Sequence, residues 1–317
     1  MSGRELVNRL GPFFGLAGVL GFFFLAVWAK TGRNSYITAD NLQTIALQSA
    51  IVGTAALGMT MVIISGGIDL SVGSTVALTS VVVAALLKHG GWPALPAALG
   101  GVLAGALCGL VNGVLITQLR VVPFIVTLGT YLVLRGAAKG LADNRTINPD
   151  PTALDSLLDQ TGFLPGGVWM LVVLAAGVFL LLRYTRFGLH LFAIGSNDQA
   201  ARLCGVPIAR TKVFVYTLGG LFAGLAGLLQ YSRLTIGDPT SAPGLELDVI
   251  AAVVIGGGSL AGGEGSVVGS LVGALIMTAI RSGCSQMGWA NWLTEIVAGA
   301  IIVIAAALDR LRHHVTE

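Results

Sequence analysis

Apolar residues are grouped along this chain in long runs, which polar residues, glycine and proline separate. Most runs hold about 20 residues, the length at which a helix crosses the roughly 30 Å hydrocarbon core of a bilayer. The pattern therefore predicts a series of membrane-crossing helices. They lie near residues 12–30, 42–64, 71–87, 94–117, 122–141, 165–182, 213–232, 266–280 and 292–308.

One further apolar run, Leu247–Gly258, is too short to cross in the same way. Its 12 residues rise about 18 Å as a helix, so a half-helix or a broken span is expected. A weak internal repeat agrees with this, because Met61–Ser74 and Ala252–Ser270 each contain an apolar half, a glycine cluster, one acid and Val-Gly-Ser. Interrupted segments of this kind line transport sites in some proteins, whereas elsewhere their glycines only pack helices.

The composition argues against an ordinary water-soluble domain. Hydrophobic residues make up 55% of the chain and charged residues 10%, whereas charged residues are about a quarter of an average soluble domain. The 45 glycines suit closely packed transmembrane helices. We expect one all-α polytopic membrane domain over residues 1–317. No basic run points to nucleic acid, and the three separated cysteines predict neither a disulfide framework nor a metal site.

Basic residues indicate the side of the membrane on which each loop lies, because Lys and Arg collect in cytoplasmic loops. The loop 183–212 carries five basic residues and one acid, so it is predicted to be cytoplasmic. The segments 142–164 and 234–248 are acidic and are predicted to face outward.

The two chain ends are both predicted to be cytoplasmic, and this requires an even number of crossings. The signals are the basic residues Arg4, Arg9, Arg310 and Arg312. Counting 247–258 as a short crossing gives ten spans, whereas a re-entrant segment gives nine and places the C-terminus outside. We therefore prefer ten.

Asp69 is the most informative single residue, because it separates two apolar runs with no basic residue near it in the sequence. A charged side chain at the centre of a membrane helix costs roughly 2.5 to 3.5 kcal/mol, so this acid needs a local purpose. One interpretation is a cap for the helix that opens near Leu70, where the carboxylate accepts backbone N–H groups. The other is a gate or a substrate contact, which a capping role would itself help to position.

A short helix is predicted within the cytoplasmic loop, over Ser196–Cys204. Ser196 and Gln199 have the spacing of a capping box, and Gly205 is a typical residue just after a helix end. Two interpretations stay open: a docking element for another protein, or an interfacial helix that meets anionic lipid headgroups.

Polar side chains inside the apolar runs either join helices by hydrogen bonds or line a wet path. They are Gln43, Gln48, Ser49, Asn112, Thr117, Thr127 and Thr130. A path rich in hydroxyl groups and poor in charge suits a neutral polar solute. No GxxxxGK[ST], GxSxG or HExxH motif occurs, so we expect neither ATP hydrolysis nor another enzymatic activity in this chain.

The segment 66–74, GGIDLSVGS, preceded by ALGMT at 56–60, resembles the signature of the permease subunits of bacterial ABC importers for ribose and related monosaccharides. Other matching motifs follow in the family order and extend the resemblance over about residues 40–308. They are Asn112-Gly113, Pro123-Phe124-Ile125, TLGT at 127–130, Arg135-Gly136, the loop segment 193–203 and IAAVVIGG at 250–257. Ser196, Cys204 and Gly258 depart from the usual pattern, which leaves the substrate branch open.

The resemblance implies a fold similar to the vitamin B12-type importer permeases, with about ten helices and broken half-helices, in the bacterial inner membrane. It also implies three protein partners: a second permease copy or paralogue, an ABC ATPase subunit that uses ATP and Mg, and a periplasmic sugar-binding protein. The chain itself is expected to hold no cofactor, while membrane lipid surrounds it.

Two sets of functional residues follow from the resemblance and from the polar pattern. The translocation path or gate is expected to involve Gln48, Ser65, Gly66, Gly67, Asp69, Ser74, Asn112, Thr127 and Thr130. The loop helix would match the coupling element that meets the ATPase, through Asn197, Gln199, Ala200, Ala201, Arg202, Leu203 and Gly205. An alternative function is a proton-coupled secondary transporter in which Asp69 carries the proton, and an intramembrane hydrolase ranks below it.

Overall fold

The computed structural model describes residues 3–33, 35–158 and 164–314. Asp159, one of the acids of the predicted outer loop, lies outside these residues. The side chains of Arg4, Arg9, Arg310 and Arg312, which gave the predicted orientation of the chain ends, are likewise outside the described part.

The described residues form α-helices joined by short connections, with one 3₁₀ turn at Asp155–Leu158 and no strand. In chain order the helices are α1 (Gly3–Thr31), α2 (Ala39–Ile64), α3 (Val72–Lys88), α4 (Ala94–Leu119), α5 (Pro123–Leu141), α6 (Gly166–Tyr184), α7 (Arg186–Ser196), α8 (Asp198–Leu203), α9 (Ile208–Leu234), α10 (Leu245–Ile255), α11 (Val267–Gln286) and α12 (Asn291–His314).

The predicted all-α polytopic membrane fold is confirmed. Within the described part of the chain, seven helices are long and apolar enough to cross a membrane, and 72–88 and 291–304 form shorter apolar helices. The short run near 247–258 is the 11-residue helix α10, as its length required. Helix α2 lies at the centre of the bundle, in contact with α6, α9, α10 and α11.

Two helix boundaries differ from the predicted ones for identifiable reasons. Helix α9 begins at Ile208 rather than near 213, directly after Pro207. Helix α11 continues to Gln286 rather than 280 because its polar residues have partners: Arg281 pairs with Asp248 at 2.7 Å, and Ser282 bonds Asn41 at 2.7 Å.

The loop 183–212, which is predicted to be cytoplasmic, also contains a helix that its sequence did not predict. Helix α7 begins after Thr185, whose side chain accepts the Gly188 N–H group, and it runs to Ser196. Its apolar side packs inward through Leu191 and Ile194. The hydrophobic run in this segment is too short to predict a span, so it was counted as loop.

The internal repeat corresponds to two helix ends of the same geometry. At the end of α2, Gly66 has φ +76° and the N–H groups of Gly66 and Gly67 bond the carbonyls of Ile63 and Val62. At the end of α10, Gly257 has φ +91°, and the N–H groups of Gly257 and Gly258 bond the carbonyls of Val254 and Val253 in the same way. Both are Schellman motifs, which satisfy the last carbonyls of a helix.

The two breaks meet each other and the end of α7. The Gly263 N–H donates to the Ile64 carbonyl at 2.9 Å. A Cβ on Gly262 would lie 2.9 Å from the Cα of Gly66, and a Cβ on Gly195 would overlap the Ile64 carbonyl. Glycine is therefore required at these positions by backbone contact, and the contact joins the predicted cytoplasmic loop to both breaks.

Helices α4 and α9 form the most extensive helix pair, and glycines bring their backbones together. A Cβ on Gly105 would lie 2.6 Å from the Cα of Gly224, and a Cβ on Gly109 or Gly220 would overlap the backbone of the opposite helix. Small residues at four-residue spacing are the usual means of close approach between membrane helices.

We expect Gly109→Ala to destabilise the protein, whereas Gly177→Ala should be neutral or slightly stabilising. An added methyl group at 109 overlaps the Tyr216 carbonyl, while nothing lies within 4 Å of the corresponding position at 177. Overpacking costs about 1–3 kcal/mol, and both variants gain the same helix propensity, so their difference isolates the contact. The difference is measured as a shift in the thermal unfolding midpoint of the protein in detergent, with the loss of monodispersity as the readout. Equal midpoints for the two variants would contradict this account of the α4–α9 contact.

Candidate functional site

The candidate site is the unwound segment between α2 and α3, residues 65–71, which contains Asp69. Its acid is 3% exposed. Neither of the two ion pairs among the described residues includes it; those join Lys212 to Asp198 and Arg281 to Asp248. A buried acid without a cation must be stabilised by hydrogen bonds.

Three side chains form a hydrogen-bonded series at this acid. The Ser71 N–H and hydroxyl group both donate to Asp69 Oδ1, at 2.8 and 2.6 Å. The Asn112 Nδ2 of α4 donates to Ser71 Oγ at 2.8 Å. Asn112 Oδ1 is buried without a partner among the described residues. The series thus leaves the Asn112 Oδ1 atom as an unused hydrogen-bond acceptor beside Asp69.

Thr127 of α5 holds the backbone on both sides of Asp69. Its hydroxyl accepts the Leu70 N–H at 3.2 Å and contacts the Ile68 carbonyl, also at 3.2 Å. These backbone groups have left the helical ladder, and an unpaired backbone group in hydrocarbon costs several kcal/mol. The Thr127 side chain therefore provides hydrogen bonds that a further helical turn would otherwise provide.

Asp69 was predicted to cap a helix that starts near Leu70, and the structure corrects its position relative to that helix. The carboxylate does accept a backbone N–H group, but the helix begins at Val72 rather than near Leu70, and Ser71 is its N-cap. Asp69 thus lies two residues before the cap and orders the approach to the helix. The reason is that the turn at 65–66 is followed by three residues outside any helix or turn, 67–69, and by a second turn at 70–71 before α3 starts.

Tyr216 of α9 closes the other side of the segment. Its side chain is 1% exposed, and its hydroxyl has no hydrogen-bond partner among the described residues. A Cβ on Gly67 would overlap this hydroxyl group. Gly67 is therefore needed because the tyrosine occupies the space.

The structure brings some of the predicted path residues together and leaves others apart. Gly67, Asp69, Asn112 and Thr127 meet at this segment. Ser65 only bonds its own helix, by donating to the Val62 carbonyl at 2.7 Å. The Thr130 hydroxyl donates to the Thr127 carbonyl at 3.2 Å.

Three further members of the predicted path set have other surroundings. Gly66 lies at the junction with Gly262. Ser74 is fully buried without a hydrogen-bond partner among the described residues. Gln48 lies 16 residues before the end of α2, about 24 Å along the helix. The transport role of the whole set stays a prediction.

The predicted short loop helix is α8, and its cap differs from the predicted one. Ser196 is the last residue of α7, so the Ser196–Gln199 capping box is wrong. Asn197 is the N-cap instead, and its side chain accepts the Ala200 N–H at 2.9 Å. The predicted helix end is confirmed, because Gly205 has φ +80° and Val206 N–H bonds the Ala201 carbonyl.

Helix α8 has an inner and an outer face. Ala201 is 4% exposed and packs with Ile194 and Ile208, whereas Leu203 is 89% exposed. The other exposed members of the predicted coupling set are Asn197, Gln199, Ala200, Arg202 and Gly205. Ala201 thus fixes the helix to the protein, and its neighbours present a surface.

A cavity of about 640 Å³ lies between α8 and the junction of α4 and α5. Arg120, Arg202 and Lys212 line it, together with Asp198, which pairs with Lys212 at 3.2 Å. Helix α8 and the junction of α4 and α5 therefore share one polar opening.

Sequence reasoning missed Ser71 and Tyr216. Ser71 was visible as the hydroxyl residue two positions after the acid, a spacing at which side chains commonly bond. Tyr216 had no such signal, since a tyrosine in an apolar run is ordinary and its contact with Gly67 depends on the fold.

The chain was then compared with known proteins. The family model described as "branched-chain amino acid transport system / permease component" matches residues 41–306. The ribose import permease protein RbsC of Bacillus subtilis is 39% identical over 96% of this chain and 94% of its own.

Two relatives named for other pentoses are similarly complete matches. The xylose transport system permease protein XylH of Escherichia coli is 33% identical over 97% of this chain and 93% of its own. The L-arabinose ABC transporter permease protein AraH of Azospirillum brasilense is 36% identical over 98% and 90%. No solved structure matches the chain.

We expect Gly67→Ala to impair folding and Tyr216→Phe to restore it. The added methyl group overlaps the tyrosine hydroxyl, which has no partner to lose. Removing both partners of a contact is often nearly neutral, whereas a clash costs about 1–3 kcal/mol. Unfolding midpoints of the two single variants and the double variant form a double-mutant cycle. Strict additivity of the two changes would refute the contact.

Proposed function

We propose that this chain, which belongs to the family of transport-system permease components, forms the membrane path by which a pentose is imported with energy from ATP. The chain is a multi-pass inner-membrane protein, and its relatives are permease subunits of sugar ABC transporters. The observation that carries the proposal is the unwound segment at Asp69, where hydroxyl and amide groups gather inside an otherwise apolar bundle.

A neutral polyol is the substrate class that suits this segment. Hydroxyl groups and amides can exchange hydrogen bonds with sugar hydroxyls, whereas an ion would need compensating charge. The relatives are named for ribose, xylose and arabinose, which are all pentoses. We infer that a pentose is carried, while a periplasmic binding protein delivers it.

The outer face of α8 is proposed to dock a separate ABC ATPase, which would bind ATP and Mg. The exposed Leu203 supports this, since an apolar side chain at 89% exposure on a loop helix is available to a partner. The close packing of Gly195, in the same loop, against the Ile64 carbonyl and Gly263 supports a route from this loop to the path.

The assembly is proposed to contain a second permease copy or paralogue.

Both chain ends are proposed to lie in the cytoplasm, and the helix directions support this orientation. Gly15 of α1 lies beside Ile276 of α11, and Gly283 of α11 lies beside Phe23. The two helices therefore run parallel, as ten crossings require.

The alternative, a proton-coupled transporter, depends on Asp69 as a proton carrier. Its Oδ1 atom already accepts two hydrogen bonds from Ser71. That arrangement supports a positioning role, because an asparagine oxygen could accept the same two bonds.

The first test measures sugar uptake in membrane vesicles that contain the permease, its ATPase and its binding protein. D-ribose, D-xylose and L-arabinose are supplied in turn with ATP and an uncoupler. We expect accumulation of at least one pentose to survive the uncoupler. Asp69→Asn should retain partial activity, because a change at a helix-start position costs about 1 kcal/mol. Loss of accumulation in both experiments would favour the proton carrier and overturn the proposal.

The second test concerns the docking face. We expect Leu203→Glu to weaken capture of the cognate ATPase by the purified permease, while the unfolding midpoint stays unchanged. Leu189→Glu is the matched control, because Leu189 is 70% exposed on α7 in the same loop. Ala201→Glu should lower both capture and stability, since it buries a charge between Ile194 and Ile208. If Leu203→Glu reduces only lipid association, α8 is an interfacial helix instead.

A further inference from the structure

A second group of buried polar side chains lies outside the Asp69 segment, at the start of α10. Glu246 is 8% exposed and Ser241 is 7% exposed. Glu246 Oε2, Ser241 Oγ and the Nη2 atom of Arg135 have no hydrogen-bond partner among the described residues. A buried polar atom that is left unpaired destabilises the fold.

Arg135 joins this group from α5. Its Nη1 atom donates to the carbonyls of Ser241 at 2.7 Å and Pro239 at 3.1 Å. Its positive charge also acts on the Glu246 carboxylate. The guanidinium group is thus fixed at one nitrogen, while the other nitrogen is buried without a partner among the described residues.

The Glu246 side chain packs against α3 at Gly73, which has no side chain of its own. A Cβ on Gly73 would overlap Glu246 and would lie 2.9 Å from the Ala242 carbonyl. On the α5 side, the Tyr131 ring lies 5.8 Å from the Arg135 guanidinium carbon. An aromatic ring with a few directed polar groups is the usual lining of a small-molecule site.

Asp248, the neighbouring acid on α10, is a buried charge with an ion-pair partner. Asp248 is 5% exposed, but Arg281 bonds it at 2.7 Å. Buried charges are normally paired in this way. Glu246 and Arg135 lie near each other without such a direct bond, so each keeps one buried atom without a partner among the described residues.

We propose that Glu246, Arg135, Ser241 and Tyr131 form an outer subsite that binds hydroxyl groups of the transported monosaccharide. This inference rests on the proposed function. A carboxylate accepts two hydrogen bonds, a guanidinium group donates and a serine hydroxyl does both, which together match adjacent sugar hydroxyls. The tyrosine ring supplies an apolar surface for the carbon face of the sugar.

The subsite is continuous with the Asp69 segment along one face of α5. Thr127, Tyr131 and Arg135 are spaced four residues apart, so they lie one above the other on the helix. The distance from the first to the last is about 12 Å. A sugar that leaves the outer subsite therefore meets the Thr127 end of the same face next.

The first experiment uses cysteine accessibility in a transport-active chain whose Cys108, Cys204 and Cys284 are replaced by alanine. Ser241→Cys is labelled with a small hydrophilic thiol reagent in vesicles that contain the whole transporter. Ser282→Cys is the matched control, because Ser282 is 6% exposed but bonds Asn41. We expect faster labelling at 241, slowed several-fold by the pentose that the wild-type transporter carries. Labelling at 241 as slow as at 282, or unaffected by the pentose, overturns the subsite.

The second experiment compares uptake of the carried pentose with uptake of its monodeoxy analogues. Glu246→Gln should reduce uptake of the parent sugar about tenfold, the effect of one charge-assisted hydrogen bond. The analogue that lacks the contacted hydroxyl should be reduced much less. Asp248→Asn is the contrast, because breaking its pair with Arg281 should reduce all sugars equally. An equal reduction of all sugars by Glu246→Gln overturns the subsite.

The two proposals fail in different ways. Wild-type uptake of a pentose with no protection at 241 and no change in discrimination refutes the subsite alone. If the wild-type transporter accumulates none of the three pentoses, the proposed function fails, and the subsite fails with it.

Discussion

The rest of the structure depends on the pairing of backbone groups where helices are interrupted, as in the hydrogen bond between the Gly263 N–H and the Ile64 carbonyl. A chain that interrupts its helices inside a bilayer must pair every released backbone group within the protein. Here the ends of α2 and α10 are closed by glycine turns of the same type, and Gly262 and Gly263, which follow the second turn, contact the first. The unwound segment that carries Asp69 can exist because this junction and Thr127 of α5 supply its partners.

Much of this arrangement was predictable from the sequence because it follows from local chemistry. The apolar runs located the membrane helices, and the glycine clusters located both breaks. The resemblance to sugar permeases marked the segment 66–74, and the comparisons confirmed the family. The position of Asp69 between two apolar runs identified a buried acid that needs hydrogen bonds. Its local partner Ser71, only two residues away, was within reach of the same reasoning.

The remaining features depend on contacts between distant parts of the chain. Periodicity could not show that Ala201 faces inward, because a six-residue helix has no clear apolar side. It could not show that Tyr216 fills the space beside Gly67, which lies 149 positions earlier in the sequence. The same holds for Glu246: its sequence neighbours suggested an exposed acidic loop, whereas folding places it against Gly73 and near Arg135.

The glycine contact between α4 and α9 also limits which amino-acid substitutions the protein can tolerate. At Gly105, Gly109 and Gly220 the opposing backbone occupies the place of a side chain, so every other amino acid adds an atom that collides. Any change in the first or second base of a glycine codon introduces such an atom. Deleterious changes are therefore concentrated on one narrow strip of each helix. Exposed apolar residues of α4, such as Leu99 and Leu103 at 54% and 59% exposure, meet no such backbone and can exchange among apolar types. Sequence divergence within this domain should consequently follow the surface of the bundle and leave the strip between these two helices almost unchanged.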